Sequence, residues 1–376
     1  MPDYVTIYAD DTFSGASQQL AVADYDHDIM TIGSDTLSSL KVALGYTATL
    51  YMDYGFSGDS RLIVADTRMS ELGGFNDQVS SIRVKAQVPA TFPYCGTCYL
   101  QTGSGLVFSA PGGGGQALRA DHSWIGAYET FMMVPRGPGR VALMSANTQY
   151  VCAQGGGGQD LIANRDDCAA WETFNLIDHG NGYISLQASN GMYVCAEGNG
   201  GRAINATRSA IGPWETFRVL PIMDITNHAG ETPVVIKPRQ LSNGTGGYEM
   251  HLRREDDGSP NLEVVLHGFN SHHWWYVKFI TGDVSNGGFC TITHAATGQL
   301  LRAPNGLGLC TLTPTFDRNS LWSLATNIVT NPGDARYGYR ALRPARDLGL
   351  NLSFPDVSGV QVKPSSSGGI NELWIW

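Results

Sequence analysis

At 376 residues the chain has room for two to three domains of roughly 100–200 residues each, every one large enough to bury a core. It carries 24 Lys and Arg against 34 Asp and Glu, a net charge of −10 with no basic cluster to reverse it locally, which excludes a phosphate-backbone partner such as nucleic acid. Its 46 glycines and its short apolar segments broken by Gly, Asn, Asp and Ser exclude a disordered chain and predict an all-β one, and no segment has the ~20 consecutive apolar residues of a membrane-spanning helix.

The N-terminus, Met1-Pro2-Asp3-Tyr4, leads straight into a strand pattern, with no basic stretch and apolar run of the signal-peptide kind. The expectation is a cytoplasmic protein; leaderless or processed secretion would give the same sequence. Seven cysteines, an odd number, do not make a disulfide framework. The lone Cys95-Gly-Thr-Cys98 lacks a second pair at zinc spacing and reads as small residues at a strand start.

Residues 1–88 repeat themselves. Tyr8-Ala-Asp-Asp-Thr-Phe13-Ser-Gly15 matches Tyr51-Met-Asp-Tyr-Gly-Phe56-Ser-Gly58, and Ser34-Asp35-Thr-Leu-Ser38-Ser39 matches Asn76-Asp77-Gln-Val-Ser80-Ser81. Each aromatic pair with its Gly predicts a folded hairpin. The Ser-Ser-Leu/Ile-x-Val endings predict strands with alternate residues inward, so that two four-stranded Greek keys pack as a sandwich. This segment resembles the βγ-crystallin family, whose aromatic corner and Asn/Asp-Asn/Asp-x-x-Ser-Ser motif both occur twice, in order. Asn76 to Ser81 fits the motif throughout, whereas Ser34 stands where Asn or Asp is usual, a weaker cation ligand. The resemblance implies Ca2+, held at sites that borrow from both motifs, with Ser34, Asp35, Ser38, Asn76, Asp77 and Ser80 as ligands and the loops at Asp10 and Asp53 close by. Oxygen donors of these kinds suit a hard cation. The alternative is that these side chains only tie down turns.

Residues 89–221 follow a two-proline linker and carry a three-fold repeat. Tyr128-Glu-Thr-Phe131, Trp171-Glu-Thr-Phe174 and Trp214-Glu-Thr-Phe217 are 43 residues apart, as are Phe108-Ser-Ala110, Val151-Cys-Ala153 and Val194-Cys-Ala196, each followed by a Gly-rich turn. Three four-stranded units predict a β-trefoil, a barrel without exposed edges. The Gly-rich turns lack Gly-Lys-Ser/Thr and a following helix, so they are hairpin turns rather than phosphate loops. Cys152 and Cys195, at the position of Ser109, are expected to be buried and inert, and Trp171 and Trp214 to pack in the core. The repeat resembles the fascin-type trefoil, which implies actin binding or, in related modules, carbohydrate binding.

Residues 222–376 show a looser triple pattern ending in Trp274-Trp275, Trp322 and Trp374, spaced 47 (from Trp275) and 52, and predict a second trefoil. One of Trp274 and Trp275 is expected in the core. The segment is similar to the ricin-B-type lectin trefoil but lacks its Gln-x-Trp, having His272, Ser320 or Glu372 instead. A sugar site needs an aromatic platform with convergent polar groups; the candidates are Trp275 with Asp256, His273, Asp317, Asn319, Asp356 and Asn371, the six polar ones equally readable as turn residues.

No nucleophile elbow, His-Glu-x-x-His or nucleotide loop occurs, so a binding protein is expected rather than an enzyme. The leading expectation is a calcium-binding, lectin-like protein whose trefoils take glycans or glycoproteins. The alternatives are a fascin-like actin binder and a structural or stress protein that calcium stabilises.

Overall fold

The computed structural model describes residues 4–234, 236–238, 251–254, 262–265, 274–281, 288–324, 340–346, 348, 350–353, 361–364 and 373–375. Strands dominate these residues, and the one α-helix among them is a single turn, α1 (Met69–Leu72). The chain is therefore all-β, as expected. It divides into two compact units, Met1–Ile222 and Met223–Trp376.

The first unit begins with β1 (Val5–Asp10), β2 (Ser14–Leu20), β3 (Asp24–Tyr25), β4 (Ser39–Val42), β5 (Tyr46–Asp53), β6 (Ser57–Ile63) and β7 (Ser81–Ala86). One sheet runs β2-β1-β4; in the other, β6-β5-β7-β3, the short β3 of the first half pairs with β7 of the second. Each half thus lends chain to the other, the crossing that defines a Greek key. Strand alternation turns Val5, Ile7, Ala48 and Leu50 inward onto Leu20, Leu37, Leu40, Ile63 and Ile82.

The two aromatic corners are hairpins whose paired turn residues are left-handed: Thr12 and Phe13 in one (φ 61° and 60°), Gly55 and Phe56 in the other (φ 63° and 60°). That geometry matches the twist of the flanking strands. It folds Phe13 edge-on to Tyr8 at 6.0 Å and Phe56 to Tyr51 at 5.8 Å. The Gly of each motif is required twice over. Gly15 and Gly58 have φ of 77° and 72°, and a Cβ would lie 2.3 Å from Asp10 Oδ2 and 2.4 Å from Asp53 Oδ2.

A buried serine latches each corner. Ser81 Oγ donates to Asp53 O (2.8 Å) and accepts from Phe56 N (3.1 Å); Ser39 does the same with Asp10 O (2.7 Å) and Phe13 N (3.0 Å). Replacing Ser81 with Ala removes both bonds and strands a backbone N–H. The expected loss is about 1–3 kcal/mol, read as a lower urea midpoint with unchanged slope; an unmoved midpoint would contradict the latch.

The chain continues through β8 (Gly96–Gln101), β9 (Val107–Ser109), β10 (Arg119–His122), β11 (Trp124–Ile125), β12 (Phe131–Pro135), β13 (Arg140–Met144), β14 (Tyr150–Ala153), β15 (Leu161–Arg165), β16 (Phe174–Gly180), β17 (Tyr183–Gln187), β18 (Tyr193–Ala196), β19 (Ile204–Arg208) and β20 (Phe217–Asp224). Pairing closes a ring, β8-β12-β13-β16-β17-β20 and back to β8. The hairpins β9–β10, β14–β15 and β18–β19 meet through bridges Ala117↔Ile162, Arg119↔Ala203 and Asp160↔Asn205. Closure leaves the ring without edges. Phe131, Phe174 and Phe217, with Leu118, Leu161 and Ile204, fill it and are fully buried.

The linker does not separate independent bodies. β11, from the first repeat of the ring, pairs with β6 and extends the N-terminal sheet. Around it Val64 N donates to Ser123 O (2.8 Å), Gln101 Nε2 to Val64 O (2.8 Å) and Arg218 Nη1 to Gln87 Oε1 (2.9 Å).

In the second unit, strands 275–281, 289–294, 300–302, 311–313, 322–324 and 340–344 belong to one eight-stranded sheet. Its core holds Trp275, Cys290, Ile292, Leu301, Trp322 and Leu342, and the Trp322 indole N–H donates to Leu301 O at 3.0 Å.

Candidate functional site

The two Asx-Asx-x-x-Ser-Ser motifs lie against each other with a reciprocal set of contacts. Asp35 N donates to Val79 O (3.1 Å) and Asp77 N to Leu37 O (3.0 Å). Both aspartates are left-handed, at φ 57° and 52°, a conformation that Asp tolerates better than most residues. This aims each carboxylate across at the other motif. Ser80 Oγ donates to Asp35 Oδ1 (3.1 Å), and Ser38 Oγ to Asp77 Oδ1 (3.0 Å). Both serines are buried, while both aspartates remain exposed.

The result is two cradles, each assembled from both motifs. One joins Asp35, Ser80 and Ser34, whose Oγ donates to Ser80 Oγ at 3.3 Å. The other joins Asp77, Ser38 and Asn76, whose Nδ2 donates to Asp77 Oδ2 at 2.9 Å. Asn76 Oδ1 is buried and has no hydrogen-bond partner within the protein, a costly state for an amide oxygen. Asp10 and Asp53 sit one step away, their carbonyls bound by Ser39 and Ser81, the neighbours of the cradle serines. Their carboxylates press on Gly15 and Gly58. Among the described residues no three His, Cys, Asp or Glu side chains converge, so the cradles offer one carboxylate each with hydroxyl and amide oxygens.

The C-terminal candidates fare differently. Trp275 is fully buried, so it is core and not a sugar platform; Trp274 beside it is the exposed one. Asp317 opens a turn: its carboxylate accepts from Asn319 N (3.0 Å), Ser320 Oγ (3.3 Å) and Arg302 Nε (2.9 Å). Asn319 is buried, with its Nδ2 given to Asn305 Oδ1. Asp317 thus holds its own turn together, while the Asn319 side chain ties that turn to the Asn305 loop and leaves its Oδ1 buried without a hydrogen-bond partner. Asp256, His273, Asp356 and Asn371 lie outside the described residues.

In the barrel, Trp171 and Trp214 are 45% and 41% exposed, against the expectation of core packing. The glutamate after each explains the reversal. Glu172 and Glu215 turn inward and accept from the backbone N–H three residues upstream, Ala169 N at 3.0 Å and Gly212 N at 2.8 Å. Glu129 does the same for Gly126 N at 3.0 Å. The glutamate closes the turn, the following Phe fills the core, and the aromatic before it is left facing water.

Cys152 and Cys195 are fully buried, and burial together with Glu172 and Glu215 pushes their thiols up to about 12. Burial pushes Cys290 up to about 12 as well and raises Cys98 and Cys310. Since the thiolate is the nucleophile, a thiol reagent at pH 8 should label the half-buried Cys95 first and the half-buried Cys168, whose thiol burial also raises, more slowly, leaving the other five unlabelled in the folded chain. Mass spectrometry reads the outcome; rapid labelling at Cys152 or Cys195 before unfolding would contradict the packing.

No family model matches the chain. Over 83 residues it is 37% identical to development-specific protein S of Myxococcus xanthus, a match covering 21% of this chain and 47% of that protein. The chain thus spans about half the length of the curated relative it matches. Among solved structures, a βγ-crystallin domain from Flavobacterium johnsoniae is 38% identical, covering 22% of this chain and 96% of that one with a TM-score of 0.22. The N-terminal domain of protein S is 35% identical, covering 22% and 96% with a TM-score of 0.21.

Proposed function

A βγ-crystallin-type domain makes up about 22% of this chain, and on that premise we propose that the paired cradles of residues 1–88 are calcium sites. The observation that carries the reading is the crossed arrangement of Asp35 with Ser80 and Asp77 with Ser38. The donor set fits the ion, being all oxygen from carboxylate, hydroxyl and amide. The unpaired buried Asn76 Oδ1 is a lone pair that a cation would satisfy. Asp35, Ser34 and Ser80 hold one ion; Asp77, Asn76 and Ser38 hold the other. Calcium supplies positive charge that ties the two Greek keys together, while the cradle serines exchange hydrogen bonding to carboxylate for ligation.

The test is a calorimetric calcium titration of chelator-treated protein. Saturable uptake of two ions supports the reading, and no uptake at millimolar calcium overturns it.

The closed three-fold ring is read as a β-trefoil, and the protein as a binding protein rather than an enzyme. The inward glutamates of the three repeats are committed to backbone N–H groups, which leaves recognition to the exposed Tyr128, Trp171 and Trp214. Exposed aromatics at equivalent places favour carbohydrate, whose rings pair apolar faces with hydroxyls. A printed glycan array probed with the full chain tests this; binding to no glycan would sink it.

A further inference from the structure

Strand alternation puts neighbouring residues of β20 on opposite sides. Phe217 and Val219 turn into the ring, and Leu220 turns the other way, into the small core shared with the N-terminal sheet. Arg218 shares that outward side. The equivalent positions of the first two repeats hold Met132 and Asn175, so the ring itself does not require a cation there. Arg218 is only 9% exposed, yet it forms no ion pair with any described residue. Its one hydrogen bond to them runs from Nη1 to Gln87 Oε1 (2.9 Å), and its Nε is buried without a partner. A guanidinium keeps its charge when buried, and a buried charge without a counter-charge is costly.

We propose that the Arg218 guanidinium holds a small monovalent anion of the chloride kind, at the seam between the N-terminal sheets and the ring. The Gln87 amide that accepts from Arg218 also donates, through Nε2, to the Tyr99 hydroxyl. One side chain thus holds the guanidinium and the phenol next to each other. Burial raises the Tyr99 phenol, against the opposing pull of Arg218, so it stays a neutral O–H and does not serve as the missing counter-charge. Its own hydrogen has no acceptor among the described residues, which leaves it as a second donor beside Arg218 Nη2. Gly45, in the turn between β4 and β5, has φ 96°, and a Cβ there would come within 3.6 Å of Nη1 and 3.9 Å of Nη2. The backbone demands glycine at that point, and glycine keeps side-chain atoms away from the guanidinium. One positive charge among neutral donors balances one negative charge, which selects a monovalent ion over phosphate or sulfate. Because Nε is enclosed, the paired edge that a carboxylate grips is not offered, and a compact single-atom ion is favoured.

The experiment is thermal unfolding of the full chain in sodium gluconate progressively replaced by sodium chloride at constant ionic strength, with chelator present so that calcium plays no part. Wild type should gain about 2–5 °C for each tenfold rise in chloride once the site begins to fill. Arg218→Met should show no such gain, and Tyr99→Phe, which loses only the hydroxyl, a smaller one. An equal rise in Arg218→Met, or none in wild type, overturns the site. If Arg218→Met does not fold, Tyr99→Phe decides, and an undiminished chloride response in it overturns the site. Wild-type crystals soaked in sodium bromide give a reading that needs no variant. A bromide anomalous peak beside the Arg218 guanidinium supports the site, and its absence overturns it. A peak there without any chloride dependence of the melting temperature means an adventitious ion only, which also overturns the proposal.

Discussion

Phe174→Ala is expected to cost the first unit about 3–5 kcal/mol, far more than Trp171→Ala three residues earlier. Phe174 is fully buried in the ring with Phe131 and Phe217, so the truncation leaves a cavity with apolar walls. Trp171 is the larger residue, but nearly half of it is already in water, and its removal uncovers mainly the Gly-rich turn at Gly156. Urea unfolding of the two variants reads the difference. The consequence should extend beyond the ring. β11 completes the N-terminal sheet, and Val64, Tyr99, Val107 and Leu220 form a small core that the two halves share. The tyrosine-rich Greek keys and the ring are then expected to lose structure in one transition in Phe174→Ala. A larger loss in Trp171→Ala than in Phe174→Ala would contradict the inward-glutamate, outward-tryptophan arrangement.

The second large effect is stabilisation by calcium. A ligand that binds only the folded state adds RT ln(1 + [L]/Kd), about 2.7 kcal/mol per site at a hundredfold excess over Kd. Two such sites would raise the melting temperature of the first unit by several degrees or more. Without calcium, Asp35 is held by the Ser80 hydroxyl, Asp77 by the Ser38 hydroxyl and the Asn76 amide, and Asn76 Oδ1 has no partner; these are the oxygens that ligation would recruit. Calcium should therefore stabilise wild type and leave a variant with Asp35, Ser38, Asp77 and Ser80 all replaced by Ala unmoved. Magnesium should do less, because it requires tighter octahedral geometry and gives up its water reluctantly. An equal shift in the variant would mean that calcium acts on the chain's net charge of −10 rather than at the cradles.

Much of this organisation was legible in the sequence because it repeats. The corner Tyr-x4-Phe-x-Gly needs its Gly for a geometric reason, a left-handed φ and an aspartate where Cβ would be. The 43-residue period of the ring gave its three-fold strand order for a similar reason, since each unit closes against the next. Other features were not legible. That each site borrows from both motifs came only with the family resemblance; which serine faces which aspartate, Ser80 with Asp35 and Ser38 with Asp77, is set by the packing of two halves that no local pattern encodes. Trp171 and Trp214 read as core by hydrophobicity, but the backbone N–H three residues before each glutamate draws the glutamate inward and the indole out. Trp275 was misassigned to a sugar site because neighbouring Trp274 and Trp275 face opposite ways in a strand and nothing local says which is inside. The Arg218 charge stands out only once the three repeats are aligned, as a departure from Met132 and Asn175.

The most direct test of the crossed cradles is calcium stoichiometry by calorimetry in three double variants. Asp35→Ala/Ser80→Ala removes one cradle, Asp77→Ala/Ser38→Ala removes the other, and Asp77→Ala/Ser80→Ala takes one ligand from each. The account predicts one ion retained by each of the first two variants and both sites lost or severely weakened in the third. If the third variant instead keeps one site intact, each motif binds its own ion and the crossed assignment is wrong.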